Sequence, residues 1–317
     1  MPGRASLSSA GPYTIRGMRI VVAGGTGFLG SGLVAALQAD RHAVTVLTRR
    51  PNAPHEARWD PNGALSTWAH ALEDADAVVN LTGAPISQRW TVAHKRAMWN
   101  SRVTATRALV AAMQSVRRIP PTLVNASAVG IYGACGDEPL TEESPAGSGF
   151  LAGLGTAWEK EAASAGPQVR TVLLRTGIVL DRQNGALPQM ALPFRFFAGG
   201  PLGSGAQYIS WIHRDDWISM VRWALTGGAV SGPLNVTAPN PVTNAAFARA
   251  LGRVLRRPSF MPAPAFALKL VLGEMAEILL TGQRVFPEKA HALGFEFRYP
   301  TIESALRALY GAAAQRA

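Results

Sequence analysis

Three glycines near the start of the chain have the spacing of a phosphate-binding turn. Gly24, Gly27 and Gly30 lie within the segment GGTGFLG, directly after the apolar run 20–23. In such a turn the first glycine permits the sharp bend, the second admits a pyrophosphate to the backbone amides, and the third packs a helix against the strand. The amide groups and the dipole at the start of that helix favour an anion. The sequence therefore predicts a dinucleotide site here.

The residues after the next apolar segment indicate which dinucleotide binds. Segment 42–47 is predicted to be a strand, and Thr48, Arg49 and Arg50 follow it, with no acidic residue until Glu56. An NAD site usually carries Asp or Glu about 20 residues past the glycines. A guanidinium instead matches phosphate oxygens in charge and in forked geometry. We therefore predict NADP(H), with its 2′-phosphate at Thr48 and Arg49; a solvated arginine pair in a loop is the alternative.

Two polar side chains stand where a substrate would be expected. Ser127 and Tyr132 flank the end of a predicted strand over 123–127, and ligands of open α/β sheets bind at the carboxyl ends of the strands. Tyr132 could bond a substrate hydroxyl or carbonyl. A tyrosine whose hydroxyl caps a neighbouring loop is an equal alternative. Ser127 and Tyr132 are our candidate catalytic residues.

Other titratable groups have structural explanations. Glu159 and Lys160 could act as acid and base, although charges on a helix surface are commoner. His213 could be a general acid, but Asp215 or Asp216 precedes a predicted helix and is suited to cap it, which favours a structural histidine. The six histidines and the single cysteine have no metal-ligand spacing, so no metal is predicted.

Two further segments are predicted to border the cofactor. Strand 76–81 runs into small residues that would let an adenosine approach closely. A long helical stretch over 90–113 contains Arg102, which could reach the cofactor phosphates; a surface arginine is the alternative. The predicted cofactor residues are Gly24, Gly27, Phe28, Leu29, Gly30, Thr48, Arg49, Arg50, Leu81, Thr82, Gly83, Arg102 and Val179.

The order of elements predicts how these residues are brought together. Strand and helix patterns alternate over 18–180, which favours a parallel sheet with right-handed crossovers. We predict an α/β fold: a Rossmann-type doubly wound parallel sheet, which later segments could complete, with a smaller C-terminal substrate lobe. Residues 1–17 are expected to be a disordered extension, 18–180 the NADP-binding domain, and 181–311 the substrate lobe with a C-terminal helical region.

Composition excludes several classes of protein. The 317 residues carry a formal net charge of +11, but the basic residues are scattered with no run of five, so we predict no nucleic-acid partner. The longest apolar candidate, 263–280, contains three charged residues and is too short to span a bilayer. We interpret it as a helix facing the core and expect no membrane partner. A single cysteine and the lack of an apolar signal segment favour a cytoplasmic protein.

The chain resembles the extended branch of the short-chain dehydrogenase/reductase superfamily, which contains sugar-nucleotide epimerases and dehydratases. The motifs that carry this resemblance are GGTGFLG (24–30), NLTGA (80–84), NASAVGIYG (125–133), LRTGIVL (174–180) and SWIHRDDW (210–217). More narrowly, the chain is similar to an atypical "epimerase family" subgroup with its own C-terminal region. That similarity lies in PISQRWTVAHKRAMWNSRV (85–103), GTAWEKEA (155–162) and GQRVFPEKAHALGFEF (282–297). The resemblance also implies that the glycine-rich loop 199–205 lines the substrate pocket. Relatives in this superfamily are often dimers, so the resemblance leaves a homodimer open.

The chain departs from the superfamily at the proton relay. The resemblance implies Tyr-x-x-x-Lys with a nearby Ser or Thr, the tyrosine acting as acid or base. None of the five tyrosines is followed four residues later by lysine. On the corresponding helix stand Thr156 and Lys160, and an alcohol cannot replace a phenol whose pKa is about 10. Four residues before Tyr132, where the Ser or Thr usually lies, is Ala128; Ser127 is one place off.

Two functions remain open at this point. The first is an NADP(H)-dependent oxidoreductase or epimerase-like enzyme acting on a small polar or sugar-like substrate. The second is a non-catalytic or weakly catalytic NADP(H) redox sensor that acts through a protein partner. The second lobe favours the enzyme, and the missing tyrosine–lysine pair favours the sensor.

Overall fold

The computed structural model describes residues 17–311, so the predicted extension at 1–17 lies, except for Gly17, outside the described residues. The strands are β1 Arg19–Ala23, β2 Ala43–Thr48, β3 Glu56–Arg58, β4 Ala77–Asn80, β5 Thr122–Ala128, β6 Pro139–Leu140, β7 Arg170–Thr176, β8 Ile178–Leu180, β9 Tyr208–Ile209, β10 Trp211–His213, β11 Gly232–Val236, β12 Val242–Thr243 and β13 Arg284–Val285. The α-helices are α1 Phe28–Ala39, α2 Val92–Trp99, α3 Ala105–Ser115, α4 Phe150–Ala163, α5 Leu187–Arg195, α6 Arg214–Thr226, α7 Asn244–Leu255, α8 Ala265–Leu272, α9 Ala276–Leu280, α10 Glu288–Ala292 and α11 Ile302–Tyr310.

Seven of these strands form one parallel sheet in the order β3-β2-β1-β4-β5-β7-β11. The chain runs outward from β1 through β2 and β3, then returns to β4 on the other side of β1. The strand order therefore reverses between β1 and β4, where ligands of such sheets bind at the carboxyl ends. The predicted doubly wound parallel sheet is confirmed. Its edge strand β11 comes from residues 232–236, so a later segment completes the sheet.

The central strands are apolar on both faces because helices cover both sides of the sheet. Ile20 and Val22 of β1 belong to one core cluster with Leu33 and Leu37 of α1. Alternate residues of the same strand face a second cluster, which contains Leu109 of α3. The continuous apolar run that predicted β1 is thus the pattern of a strand buried on both faces.

The smaller lobe has its own core, in which residues of α5, α7 and α11, among them Phe247 and Leu306, pack in one cluster with Trp211 of β10. Three short strand pairs, β8 with β10, β9 with β12 and β6 with β13, form separate two-stranded sheets. Helix α6 then returns to the larger lobe and packs on α1. The two lobes are therefore interleaved along the chain.

The stretch 90–113 is helical as predicted, since α2, a π-helical turn over Asn100–Thr104 and α3 follow one another without a break. The single helix predicted over 263–280 is wrong. The stretch 263–280 is two short helices separated at Gly273, whose φ of +62° ends α8. None of the residues of α8 is buried, so the expected core-facing helix is absent there. Among the described residues, no helix has the length and apolarity needed to cross a membrane.

Candidate functional site

The glycine turn joins β1 to α1 as the spacing predicts. Gly24 has a φ of +81°, a conformation that side-chain-bearing residues rarely adopt. A Cβ on Gly30 would collide with the carbonyl oxygen of Gly24, whereas one on Gly27 would lie 3.4 Å from that oxygen, an ordinary contact. The fold itself therefore requires glycine at 24 and 30. At 27 it does not, which leaves close approach of a ligand as the reason for glycine there.

The N-terminus of α1 is open to an anion. Its N-cap is Gly27, which has no capping side chain, and its first turn contains no acidic residue. Phe28 and Leu29 are half-buried. The Phe28 ring borders Gly185, where a Cβ would lie 3.0 Å from the ring and 3.4 Å from the carbonyl oxygen of Val179. The structure thus brings Phe28 and Val179 together. The free amides and the dipole of a 12-residue helix favour a phosphate at this end.

Thr48, Arg49 and Arg50 follow the carboxyl end of β2. Thr48 is half-buried, and its Oγ1 accepts a hydrogen bond from the Arg50 amide at 3.4 Å. Arg49 and Arg50 are exposed, and neither forms an ion pair with any carboxylate in the part of the chain that the structure describes. Strand β3 pairs with β2 so that the exposed Arg58 lies opposite Thr48. Sequence analysis missed Arg58, because its place depends on the pairing of an irregular three-residue strand.

The loop after β4 is held in place by a buried amide. The Asn80 side chain donates hydrogen bonds to Thr106 Oγ1 at 2.8 Å and to Asn125 Oδ1 at 2.7 Å. Its own Oδ1 accepts from the amide and the hydroxyl of Thr82, at 3.2 and 2.7 Å. Leu81 continues the strand ladder by donating to the Ala23 carbonyl at 2.8 Å. The loop therefore lies beside the glycine turn.

Arg102 lies against this loop. It occupies the π-helical turn, and its guanidinium would be 3.0 Å from a Cβ on Gly83. The guanidinium stacks over the Trp158 ring, 5.3 Å from its centroid. Burial lowers the pKa of Arg102 to about 10, and within residues 17–311 no carboxylate forms an ion pair with it. A half-buried cation without an anion is costly, which makes this position suited to an anionic ligand.

Ser127 and Tyr132 lie in one buried polar network. The Ser127 hydroxyl donates to Glu159 Oε1 at 2.6 Å, and both Glu159 oxygens accept from the Arg175 guanidinium at 2.9 Å. The same guanidinium donates to the Tyr132 hydroxyl at 3.0 Å, and that hydroxyl lies 2.7 Å from its acceptor, Asn235 Oδ1. The network joins β5, α4, β7 and β11, so it ties the sheet to the helix that covers it.

This placement does not support a catalytic Tyr132. The side chain is fully buried, and burial raises the pKa of the phenol, with Arg175 acting in the opposite direction. Its hydroxyl also contacts the carbonyl of Thr141, 2.9 Å away in a neighbouring loop. The structure thus favours the alternative in which the phenol secures that loop. Glu159 was expected on the helix surface, and that prediction is wrong, because its carboxylate pairs with a buried arginine.

Small and apolar residues stand near the end of β5, where the superfamily has its relay. Ala128 is exposed there. On α4, Leu151 packs against Gly130, and Gly155 packs against Ile131. Thr156 uses its hydroxyl to donate to the Ala152 carbonyl at 2.9 Å, and Lys160 is exposed. The absence of Tyr-x-x-x-Lys in the sequence is therefore not compensated by a proton donor at these positions.

His213, and not an aspartate, caps α6. Its Nδ1 accepts a hydrogen bond from the Asp215 amide at 3.1 Å, and its ring stacks on Tyr299 with centroids 3.9 Å apart. Asp216 is buried and accepts hydrogen bonds from the amides of Arg298 and Tyr299. The predicted aspartate cap is wrong because these carboxylate oxygens hold a segment more than 80 residues away in the chain.

Comparison with known proteins agrees with this geometry. Residues 20–177 match the model of the NAD dependent epimerase/dehydratase family, and residues 263–309 match the domain of unknown function DUF1731. The epimerase family protein SDR39U1 homolog, chloroplastic, of Arabidopsis thaliana is 43% identical over 300 residues, which are 92% of this chain and 86% of that protein. The chain belongs to these epimerase family proteins. The family member YfhF of Bacillus subtilis is 40% identical over 299 residues, 92% of this chain and 98% of that protein.

Solved structures place this epimerase family protein among the same relatives. The crystal structure of human epimerase family protein SDR39U1 (isoform 2) with NADPH superposes with a TM-score of 0.86 at 36% identity, covering 93% of this chain and 99% of that one. The UDP-glucose 4-epimerase of Thermus thermophilus, solved with NAD, has a TM-score of 0.75 at 20% identity, covering 93% and 98%. The latter likeness shows the fold alone. The predicted family and fold are confirmed.

Proposed function

We propose that this epimerase family protein binds NADPH across the carboxyl ends of β1, β2 and β4 and acts as an oxidoreductase on a small polar or sugar-like substrate. The observation that carries the cofactor assignment is the exposed arginine pair after β2, next to an uncapped helix N-terminus. The human relative solved with NADPH supports it.

The adenosine end of the cofactor would lie over the glycine turn. Its pyrophosphate would meet the free amides at the start of α1, where Gly27 leaves room for close approach. Its 2′-phosphate would lie between Arg49 and Thr48, with Arg50 and Arg58 at the same corner of the sheet. Guanidinium groups that have no carboxylate partner are available to bind that phosphate.

Arg102 would supply a second cationic contact near the loop after β4. A guanidinium that is already desolvated by burial interacts more strongly with an anion than an exposed guanidinium does. Its stacking on Trp158 holds the side chain in place before the ligand arrives. We therefore include it among the residues that bind the cofactor.

When bound, NADPH supplies a hydride to an electrophilic carbon. The bond electrons displaced from that carbon need a proton, and neither of the candidate catalytic residues is placed to give it. Ser127 donates to Glu159, and Tyr132 is locked to Arg175 and Asn235. The proton would therefore come from water or from the substrate itself. This favours substrates in which hydride addition leaves a weakly basic anion, because such an anion does not need a strong acid on the enzyme.

Transfer of label from the cofactor tests this function. The protein would be incubated with NADPH carrying deuterium at the transferable hydrogen and with pooled small carbonyl and sugar-nucleotide compounds. Label in a product would establish the oxidoreductase and identify the substrate class. Tight NADPH binding with no label in any product would contradict it.

The alternative is a redox sensor that distinguishes NADPH from NADP⁺ and signals through a protein partner. The observation that favours it is the lack of a phenol at the relay positions, where Thr156 and Lys160 stand, together with Ala128 at the place of the Ser or Thr. A sensor should change its hydrogen-exchange protection when NADPH replaces NADP⁺, with no turnover. Identical protection in both states would contradict the sensor.

The remaining assignments are proposals from the sequence. We propose a small-molecule substrate, no nucleic-acid partner and a cytoplasmic setting, supported by the scattered basic residues and the single cysteine. A homodimer remains open.

A further inference from the structure

The smaller lobe exposes an unusual number of large apolar side chains. The exposed fraction is 75% for Phe196, 76% for Phe260, 75% for Phe266, 79% for Leu270 and 70% for Val271. Single exposed apolar residues are ordinary, but a group of them marks an interaction surface. We call this group the apolar tip; its members are Leu192, Phe196, Phe197, Phe260, Met261, Phe266, Leu270 and Val271.

Backbone hydrogen bonds bring the segments of the apolar tip together. The Met261 amide donates to the Gly199 carbonyl at 3.1 Å, and the Ala263 amide donates to the Pro201 carbonyl at 2.9 Å. Helix α8 begins two residues later and carries Phe266 and Leu270 four residues apart, on one face. The end of α5, the segment 257–263 and α8 therefore form neighbouring parts of one surface.

Part of this surface is held in a strained conformation. Phe197 has a φ of +58°, which a bulky residue rarely adopts, yet its side chain is 58% exposed. The Arg257 guanidinium lies over its ring at 4.7 Å. This conformation ends α5: the Phe197 amide donates to the Phe194 carbonyl and the Ala198 amide donates to the Pro193 carbonyl, both at 3.0 Å.

The charge around the apolar tip is mainly positive, since of the two exposed carboxylates that follow α8, Glu274 and Glu277, the first is paired with Lys95. The sequence contains no Asp or Glu from 182 to 214 and none from 217 to 273. Four exposed cations border the tip, Arg195, Arg256, Arg257 and Lys269. None of the four forms an ion pair within residues 17–311.

Exposed aromatic and aliphatic side chains next to unpaired cations suit an anionic lipid surface. At an anionic bilayer, apolar side chains enter the boundary between headgroups and acyl chains, while cations meet lipid phosphates. Each Lys or Arg near such a surface strengthens that attraction.

We propose that the apolar tip docks the protein on an anionic lipid surface. The sequence-based prediction of no membrane partner rested on the lack of a segment that could span a bilayer. Docking at the surface needs no such segment. The proposal goes beyond the proposed function, since it concerns where the protein works and not which cofactor it binds.

Co-sedimentation of the full chain with vesicles tests the proposal. Vesicles of phosphatidylcholine alone would be compared with vesicles of phosphatidylcholine and phosphatidylglycerol. We expect binding to the anionic vesicles only, and we expect added salt to weaken it because exposed charges are screened. No binding to either kind of vesicle would overturn the proposal.

A double substitution identifies the surface responsible. Phe260→Ser with Phe266→Ser should weaken binding to anionic vesicles by at least about tenfold, since it removes two side chains that enter the bilayer. The matched control is Val92→Ser, which changes a residue that is 88% exposed but lies outside the apolar tip. Equal binding by the double variant and the control would overturn the assignment to the tip.

A double substitution of two cations separates the electrostatic contribution to vesicle binding from the apolar one. Arg257→Gln with Lys269→Gln should reduce both vesicle binding and its salt dependence, whereas the control Arg249→Gln, at an exposed arginine of α7, should change neither. NADPH binding by every variant would be measured alongside. Retained NADPH binding shows that a variant is folded and separates failure of this proposal from failure of the proposed function.

A second copy of this chain is the competing occupant. Light scattering in solution would detect it. A dimer that the Phe260→Ser, Phe266→Ser variant converts to a monomer, with no vesicle binding by the native chain, would replace the lipid surface by a subunit interface.

Discussion

At the scale of single residues, the choice between NADPH and NADH depends on Arg49. This guanidinium is exposed and unpaired within the described residues, at the end of the strand where a 2′-phosphate would lie. Arg49→Ala removes a charge-assisted hydrogen bond worth about 1.5–3 kcal/mol, so we expect the Kd for NADPH to rise by about 10- to 100-fold. The Kd for NADH should stay unchanged. Fluorescence titration with both cofactors measures this.

The control for this prediction is Arg249→Ala, which removes the same charge from an exposed position on α7. Its NADPH affinity should match that of the native chain. An equal loss of NADPH and NADH affinity in Arg49→Ala would contradict the assignment of the 2′-phosphate.

Removal of the Tyr132 hydroxyl tests whether the phenol has a structural role. In Tyr132→Phe the Arg175 and Asn235 side chains each lose a buried partner, so the free energy of unfolding should fall by about 1–3 kcal/mol. The affinity for NADPH should not change. Chemical denaturation measures the first quantity and titration the second. Tyr208→Phe is the control, because the Tyr208 hydroxyl makes no hydrogen bond within residues 17–311. Unchanged stability together with lost turnover would restore Tyr132 as a catalytic residue.

At the scale of elements, the glycines of the turn between β1 and α1 should separate folding from binding. Gly30→Ala places a methyl group on the Gly24 carbonyl oxygen, so we expect little folded protein. Gly27→Ala meets only an ordinary contact, and an N-cap change from glycine should cost less than about 1 kcal/mol. Its NADPH affinity should nevertheless fall by at least about tenfold, since the methyl group blocks the pyrophosphate. Normal NADPH binding by Gly27→Ala would contradict the placement of the phosphates.

The cap of α6 should make stability depend on pH. Burial lowers the pKa of His213 below its ordinary value of 6.5, and the nearby Asp215 and Asp216 act in the opposite direction. As the pH falls through about 6.5, the unfolded chain binds a proton that the folded histidine resists. Stability should therefore fall on acidification from neutral pH. Asp216, whose pKa burial raises from 3.8, acts in the opposite sense at lower pH.

Denaturation midpoints measured across this range test the prediction. His213→Asn keeps an N-cap acceptor but cannot titrate, so its stability should change less between neutral and mildly acidic pH. His55→Asn changes an exposed histidine and should keep the native slope. A native slope in His213→Asn would show that another group is responsible.

At the scale of the whole molecule, the net charge of +11 should attract an anionic cofactor over distance. Such steering raises the association rate and is screened once the ionic strength shortens the Debye length to about 10 Å or less. We expect the association rate of NADPH to fall steeply with salt while its dissociation rate changes little. Stopped-flow fluorescence measures both. If salt changed only the dissociation rate, the attraction would come from contacts with the bound phosphates and not from the overall field of the protein.

The arrangement of helices and strands in the whole molecule could be predicted from the sequence only in part. The doubly wound sheet was predictable because alternating strand and helix patterns permit few arrangements, and crossovers between parallel strands are right-handed. The orientation of α8 was not, because its apolar composition is typical of a buried helix. Only the packing of the lobe shows that Phe266 and Leu270 face outward.

By itself the sequence determined the glycine turn, the arginine pair after β2 and the missing Tyr-x-x-x-Lys. Each depends on residues close together in the chain, so local sterics and charge suffice to interpret it. The tertiary structure alone decided the roles of Ser127, Glu159 and Tyr132. The hydrogen bond from Tyr132 to Asn235 joins residues 103 positions apart, and that distance closes only when β5, β7 and β11 pair in one sheet. No spacing in the sequence records such a contact, because it is set by the register of strands and by the burial that follows.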